Sequence, residues 1–456
     1  MRALHWAAAA IMLIAAGCSN KSASVSPADA GSDGGGFSSA PLAGTVTLDT
    51  SGTRDIAPQA FGQNYWNWEP AWGDAVLDTD GMVAAAGVQL IRSGGYNNDT
   101  QTPNLFSNAE LDRFVAYTRS VGAQPVVQVP LVKDAAGQPA TPQDAADMVT
   151  YANVTQAYGI KYWSIGNEPD LYTSQSLQPA TYSAADYCAT FQQYVTAMKA
   201  ADPTIQILGP ELSWKYIPGN DWLSPFLDGC KDAVDIVSVH RYPLAPNATT
   251  VAAAFSDAAA FRQAVRALRA NLDQHGMTPV PLAITEEHIT YDGDPTKSTL
   301  PASPQTFFAG MWVADVLGVG LEEGLWTSAF WHIADSPTGW KLAFIIGETP
   351  QPTYYALQLV ATHFRGRTVV PSAIPAGFSV YASRDATAGT SAVLILNKTG
   401  AAARLALAFD AQPVQEVGLG AQSMALAIFT DGAEAPRITR YTQDLADAAL
   451  PPAEDP

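Results

Sequence analysis

Two glutamates close two β-rich runs of this sequence. Trp163-Ser164-Ile165-Gly166 leads into Asn167-Glu168-Pro169-Asp170, and Leu282–Thr285 leads into Glu286-Glu287-His288. A carboxylic acid facing a carboxylate can protonate a leaving oxygen while its partner attacks the carbon left behind. Set roughly 5 Å apart, such a pair is what retaining cleavage of a glycosidic bond requires. The charge on one member favours the proton on the other, which keeps the acid loaded near neutral pH. Glu286 and Glu287 compete for the second role, because successive strand residues face opposite sides and only one can enter a pocket. Glu211, at the end of another β-rich run, is either a substrate contact or structural. His240 and His288 lack a His-Glu-x-x-His frame and partners at ligand spacing, so they read as hydrogen-bond donors in a cleft and no metal is expected. Aromatics gather beside the same runs: Trp66, Trp68 and Trp72; Trp214 and Tyr216; Trp331 and Trp340. On loops they can stack on sugar faces, whereas mid-run Trp163 and Trp326 read as core. Arg241, Lys215 and Lys341 could meet a uronic carboxylate or simply be surface charge.

The elements that must position these groups have a clear rhythm. β-rich runs at Gln59–Tyr65, Val88–Arg92, Pro125–Val129, Lys161–Ile165, Ile205–Leu208, Ile236–His240, Leu282–Thr285 and Gly324–Trp331 alternate with helical patterns. Ser107 with Glu110, Thr141-Pro142, and Ser183 with Asp186 mark helix starts, and a further helix is expected from about Asp257 to His275, before Gly276. Eight such repeats predict a (β/α)₈ barrel in the α/β class, over 56–364, with catalytic groups at the C-terminal strand ends. Strands four and seven face one another across the mouth. No Gly-x-Gly-x-x-Gly or P-loop appears, and no cofactor is expected. From 365 to 443 short alternating runs (Phe378–Ala382, Ser391–Asn397, Ala403–Phe409, Met424–Phe429) predict a small antiparallel β-sandwich, which the strand at 42–55 could join. The acidic, Pro/Ala-rich stretch 444–456 reads as a loose tail.

Asn-Glu-Pro after strand four and Thr-Glu after strand seven resemble the retaining glycoside hydrolases of clan A, over Gly44 to Phe429. The resemblance implies that Glu168 is the acid/base and that Glu286, rather than Glu287, is the nucleophile. It also implies that Asn167 contacts the hydroxyl next to the anomeric carbon and that Arg92 supports the nucleophile. His240 and Tyr242 fall where the clan has a strand-six aromatic or His, and Trp331 where it has a sugar platform. The separation of 286 − 168 = 118 residues, Arg92-Ser-Gly-Gly and Gly166-Asn167-Glu168-Pro169 look like the heparanase and β-glucuronidase family. Thr285-Glu286 looks instead like the clan's xylosidases, arabinofuranosidases or endoglucanases.

Composition narrows the setting. With 47% hydrophobic and 15% charged residues, a large core is possible. A net charge of −19 argues against a nucleic-acid partner. The partner expected is a carbohydrate, and the protein a monomer. Residues 1–18 combine Arg2, a short apolar stretch and Ala15-Ala16-Gly17-Cys18. This resembles a bacterial lipobox, with Cys18 lipidated, 19–41 as a tether, and an exported, envelope-anchored protein whose only membrane contact is that lipid. An ordinary signal peptide is the alternative. In an oxidising compartment Cys188 and Cys230 are expected to pair, although two buried thiols fit their number equally well. Two functions follow: a retaining glycosidase acting outside the cytoplasm, or an inactive carbohydrate-binding lipoprotein.

Overall fold

The computed structural model describes residues 37, 39–66, 76, 78–101, 106–213, 221–294, 296–297, 299–338, 340–409 and 414–455. Cys18, Trp68, Trp72, Trp214, Lys215 and Tyr216 lie outside them.

After β1 (Leu42–Asp55), eight parallel strands close a barrel. They are β2 (Phe61–Tyr65), β3 (Leu90–Ser93), β4 (Gln124–Val129), β5 (Tyr162–Ile165), β6 (Gln206–Leu212), β7 (Ile236–Arg241), β8 (Leu282–Glu287) and β9 (Thr327–Phe330). Ring closure runs through β2 and β9, where Gly62 pairs with Ala329. All eight β-rich runs of the sequence are barrel strands, because βαβ crossovers bury both faces and select continuous apolar runs. The helices start where their caps predict. Thr141 and Ser183 each form a reciprocal capping box, with Asp144 and Asp186. The helix expected from Asp257 starts earlier, at Val251, because the Thr250 side chain accepts from the Ala253 amide.

The barrel interior is layered. Leu90, Val126, Tyr162, Leu208, Ile236, Ala283 and Ala329 form an apolar floor with Trp326. Above it sit buried polar groups: Asn64, Arg92, Gln128, Ser164, Ser238, His240 and Thr285. Among the described residues all of these but Ser164 are hydrogen-bonded, which offsets the cost of burying them, and the upper layer marks where chemistry can occur.

After the short strands β10 (Ala334–Asp335), β11 (Ile345–Ile346) and β12 (Thr349–Pro350), the chain builds a second sheet. It comprises β13 (Arg367–Ser372), β14 (Phe378–Asp385), β15 (Thr390–Asn397), β16 (Ala403–Phe409), β17 (Gln415–Leu419), β18 (Ser423–Thr430), β19 (Arg437–Tyr441) and β20 (Ala453–Glu454). Its order is β17-β16-β1-β13-β14-β15-β18-β19-β20. One face gathers Val46, Leu48, Val380, Val393, Ile395, Leu405, Leu407 and Val417 into a core of its own. The other face, through Tyr381, Leu394, Leu396 and Leu426, joins the barrel's core.

Two expectations are corrected here. The sheet is mixed rather than antiparallel, because β1 enters between β13 and β16 and runs parallel to β16. The stretch 444–456 is anchored rather than loose as far as Asp455. Thr442 caps a helix at Gln443–Asp447, Leu445 is buried, β20 pairs with β19, and Asp455 takes two hydrogen bonds from Arg440.

Candidate active site

Three carboxylates reach the barrel mouth, each from an irregular point of the backbone. In β8, Ala283 and Thr285 face inward, so strict alternation would bring Glu287 in and turn Glu286 out. The register instead slips between Ile284 and Glu286 against β7, and between Ile284 and Glu287 against β9. This β-bulge places Thr285 and Glu286 both on the inner side and sends Glu287 outward, onto Arg241. β6 carries a second slip, between Pro210 and Leu212. Glu211, with φ 56°, is the extra residue and turns into the site. Glu168 follows β5 with φ 51°, caps the short turn Pro169–Leu171, and donates its amide to the Glu211 carbonyl at 3.0 Å. The left-handed region costs a non-glycine residue about 1–2 kcal/mol, a cost the surrounding structure must offset.

The side chains form one network. Oxygens of Glu168 and Glu286 and the His240 ring nitrogen lie within 4.8 Å of one another. Arg92, fully buried, donates to Glu286 Oε2 at 3.1 Å, Asn64 Oδ1 at 2.9 Å, Asn167 Oδ1 at 2.9 Å and Gln128 Oε1 at 3.2 Å, and lies 3.3 Å from Glu211. Tyr242 donates its hydroxyl to Glu286 Oε1 at 2.6 Å. His240 spans the cluster, with Nδ1 at 3.2 Å from Glu168 and 3.7 Å from Glu286, and Nε2 at 2.7 Å from Glu211. Glu211 also takes hydrogen bonds from Thr285 at 2.7 Å and Ser238 at 3.0 Å.

Electrostatics set the protonation states. Burial works against a charged His240, but the charge of Glu286 and the hydrogen bonds to Glu168 and Glu211 outweigh it and push the imidazole up to about 10. Burial likewise penalises the Glu211 carboxylate, yet Arg92, then His240 and Thr285, hold it down at about 2. The geometry therefore holds two cations, Arg92 and imidazolium His240, among three carboxyl groups. A metal ion at the Glu168–His240–Glu286 cluster would have to displace both an Arg92 hydrogen bond and the imidazolium proton.

Trp66 and Trp331 follow β2 and β9 directly and pack against each other, with ring centroids 5.8 Å apart. Trp331 packs over Gly95, whose φ of 109° and lack of a Cβ leave room for the indole; a methyl group there would come within 3.0 Å of the ring. Asn167 keeps its carbonyl oxygen on Arg92, which leaves its amide nitrogen as the donor for a ligand.

Glu168, Glu286, Asn167, Arg92, His240 and Tyr242 thus meet at one point. One open alternative is decided and two expectations do not survive. Of its two readings Glu211 takes the structural one: it is fully buried and braces His240. Arg241 is not available to a uronic acid: it is buried on the barrel's outer side, bonded to Asp257 and stacked on Phe261. His288 is no cleft donor: its ring stacks on Trp312, Nδ1 accepts the Ile289 amide, and burial, reinforced by His332, pulls it down to about 3. Residues missed in the sequence are Asn64, Gln128, Ser238 and Thr285. The signal was available for Gln128 and Ser238, each a polar residue between two valines; Asn64, beside Gln63, and Thr285, beside Glu286, carry no such mark. Cys188 and Cys230 are joined by a disulfide, Cα–Cα 5.8 Å, tying the helices Ala184–Ala201 and Leu223–Cys230 on the outer ring.

Comparison with known proteins agrees with this layout. The sequence pattern of Glycoside hydrolase family 44 matches residues 133–234, a segment that includes Glu168 and Glu211 but not Glu286. Endoglucanase A of Paenibacillus lautus is 31% identical over 118 residues, covering 20% of this chain and 17% of that protein. The matched segment is therefore a small part of that relative's length. Among solved structures, CelM2, a bifunctional glucanase-xylanase from a metagenome library, superposes with a TM-score of 0.65 at 17% identity, covering 84% of this chain and 99% of its own. AbfB, a family 51 α-L-arabinofuranosidase from Bifidobacterium longum, gives 0.66 at 16%, with the same coverage. The fold is that of these barrel glycosidases. The expected likeness to heparanase and β-glucuronidase finds no support in these matches.

Proposed function

We propose that this protein is a retaining glycoside hydrolase of clan A, acting on a glucan-type polysaccharide or oligosaccharide. The observation that carries the reading is the pair Glu168 and Glu286, with oxygens within 4.8 Å and the second carboxylate clamped by Arg92 and Tyr242. That spacing suits a double displacement and leaves too little room for a water between the carboxyl groups, as inversion needs. Glu286 attacks the anomeric carbon while Glu168 protonates the departing oxygen, giving a glycosyl ester on Glu286. Glu168, now ionised, takes a proton from water, which attacks the same carbon and releases Glu286. Arg92 and Tyr242 fix the carboxylate's line of attack and spread its charge. Asn167 is placed to donate to the neighbouring sugar hydroxyl, and Trp66 and Trp331 to pack on sugar faces.

The glucan preference rests on the family 44 segment and on the names of the relatives; α-L-arabinofuranosides are the second substrate class to try. Both carboxylates are in place, which favours an enzyme over a binding-only protein. Cys18 is read as the lipidated mature N-terminus, testable by mass spectrometry of protein from membranes. The function is tested with carboxymethylcellulose, xyloglucan, xylan, aryl cellobiosides and aryl arabinofuranosides, following the first-formed anomer by proton NMR. Turnover with retention supports the reading. Binding without turnover, or an inverted first product, overturns it.

A further inference from the structure

Glu168 has one polar side-chain contact among the described residues, His240 at 3.2 Å. Its position therefore depends on the backbone turn that carries it, and that turn is held from one direction by a residue outside the reacting set. Asp99, in the short helix Tyr96–Thr100 after β3, is buried. Its Oδ1 accepts the Leu131 amide at 2.6 Å, in the loop after β4. Its Oδ2 accepts the Asn167 amide at 3.3 Å and the Tyr172 hydroxyl, both in the loop after β5. Its own carbonyl takes the Lys133 amide at 3.1 Å. One carboxylate thus ties together the loops after three successive barrel strands. The contact with the Asn-Glu-Pro turn is close: Gly166 has φ 71°, and a Cβ there would lie 2.7 Å from the Tyr172 hydroxyl.

We infer that Asp99 is a positioning residue for the proton donor: it fixes the Asn167–Glu168 turn through the Asn167 amide and Tyr172, so that Glu168 reaches the leaving-group oxygen. The inference rests on the reading of Glu168 as the acid. Burial pushes Asp99 up to about 6 against these hydrogen bonds, so at neutral pH it is ionised, and an ionised carboxylate accepts on both oxygens. An amide of the same shape cannot. In Asp99→Asn the NH₂ group must face either the Leu131 or the Asn167 N–H, donor against donor, so one loop loses its acceptor whichever way the side chain turns.

Weak protonation of the leaving group has a signature that general destabilisation lacks. Substrates with acidic phenol leaving groups need little protonation in the first step; those with poor leaving groups need it fully. The test measures kcat/KM across aryl cellobiosides from 2,4-dinitrophenyl to phenyl, for the wild type, Asp99→Asn, Tyr172→Phe and Glu168→Ala, with melting curves alongside. Asp99→Asn should lose about 10–100-fold on phenyl cellobioside and less than about 3-fold on the dinitrophenyl compound, a steeper leaving-group dependence in the direction of Glu168→Ala. Tyr172→Phe, which removes one donor only, should shift the slope the same way by less, and it carries the test if Asp99→Asn does not fold. An equal loss on every leaving group, or no loss in folded variants, overturns the positioning role while Glu168→Ala still shows its slope. If Glu168→Ala shows no leaving-group dependence, the acid assignment falls and this inference with it.

Discussion

Glu211→Gln isolates the electrostatic contribution of a group that is fully buried in the network. The amide preserves the shape. With its oxygen in place of Oε2 it still accepts from His240 and Thr285, and its NH₂ can donate to the Ser238 hydroxyl. What disappears is the charge. Glu211 sits at about 2 against an ordinary 4.5, so its ionisation is worth about 3 kcal/mol to the folded protein. A depressed carboxyl contributes stability above its unfolded value and loses it as pH falls through about 2, so the variant is destabilised at neutral pH. His240 has the opposite sign. Raised to about 10, it contributes fully below 6.5 and loses that contribution as pH rises through about 10. Replacing its 2.7 Å carboxylate partner by an amide weakens a charge-assisted hydrogen bond by about 1–2 kcal/mol, which moves His240 down by roughly one unit. Two assays read this: ¹⁵N NMR of the His240 ring against pH, and the alkaline limb of kcat/KM on a dinitrophenyl glycoside. Both midpoints should fall together in Glu211→Gln. If the ring titrates unchanged, the claim that Glu211 helps hold the imidazolium is refuted.

Other perturbations reach different parts of the site. Glu286→Ala should abolish most turnover, with azide restoring formation of an inverted glycosyl azide; Glu168→Ala should lose about 10²–10⁴-fold on poor leaving groups and be rescued by azide with retention, and NMR of the azide products separates the two. Glu287, pushed up to about 7 by burial despite Arg241, favours the folded state at low pH and loses that advantage as pH rises from 4.5 through 7. Glu287→Gln should therefore gain up to about 3 kcal/mol over the wild type at pH 8 and almost nothing near pH 4, by denaturant titration, while keeping far more activity than Glu286→Ala; an equal gap at both pH values would contradict this. The Cys188–Cys230 bond closes a 42-residue separation, worth about 4 kcal/mol in the chain-entropy account. Reduction or Cys188→Ser should lower the melting temperature by several degrees, and recovery of two free thiols by non-reducing peptide mapping would remove the premise.

Much of this architecture is legible from the chain because barrel strands are short apolar runs and helix caps are local chemistry. Runs such as Ile236–His240 and pairs such as Ser183 with Asp186 announce themselves without tertiary information. The phase of the strand ends does not. Alternation from Ala283 and Thr285 points at Glu287; the bulge that brings Glu286 inward is set by pairing with β7 and β9, and no single strand encodes it. Glu211 is hidden the same way, by a slip against β7. Asp99 reaches partners 32, 68 and 73 residues away, which no local pattern reveals. At the C-terminus composition misleads: Pro and Ala suggest a loose tail, but Arg440 and Leu445 anchor it.

The most direct test of the central claim is to trap the glycosyl-enzyme. A 2,4-dinitrophenyl 2-deoxy-2-fluoroglycoside of the best substrate slows both steps, but its good leaving group lets the ester form and accumulate. Peptide mass spectrometry should then find the sugar mass on Glu286. Label on Glu287, or steady wild-type turnover of the parent glycoside with no ester formed, would contradict a double displacement through Glu286.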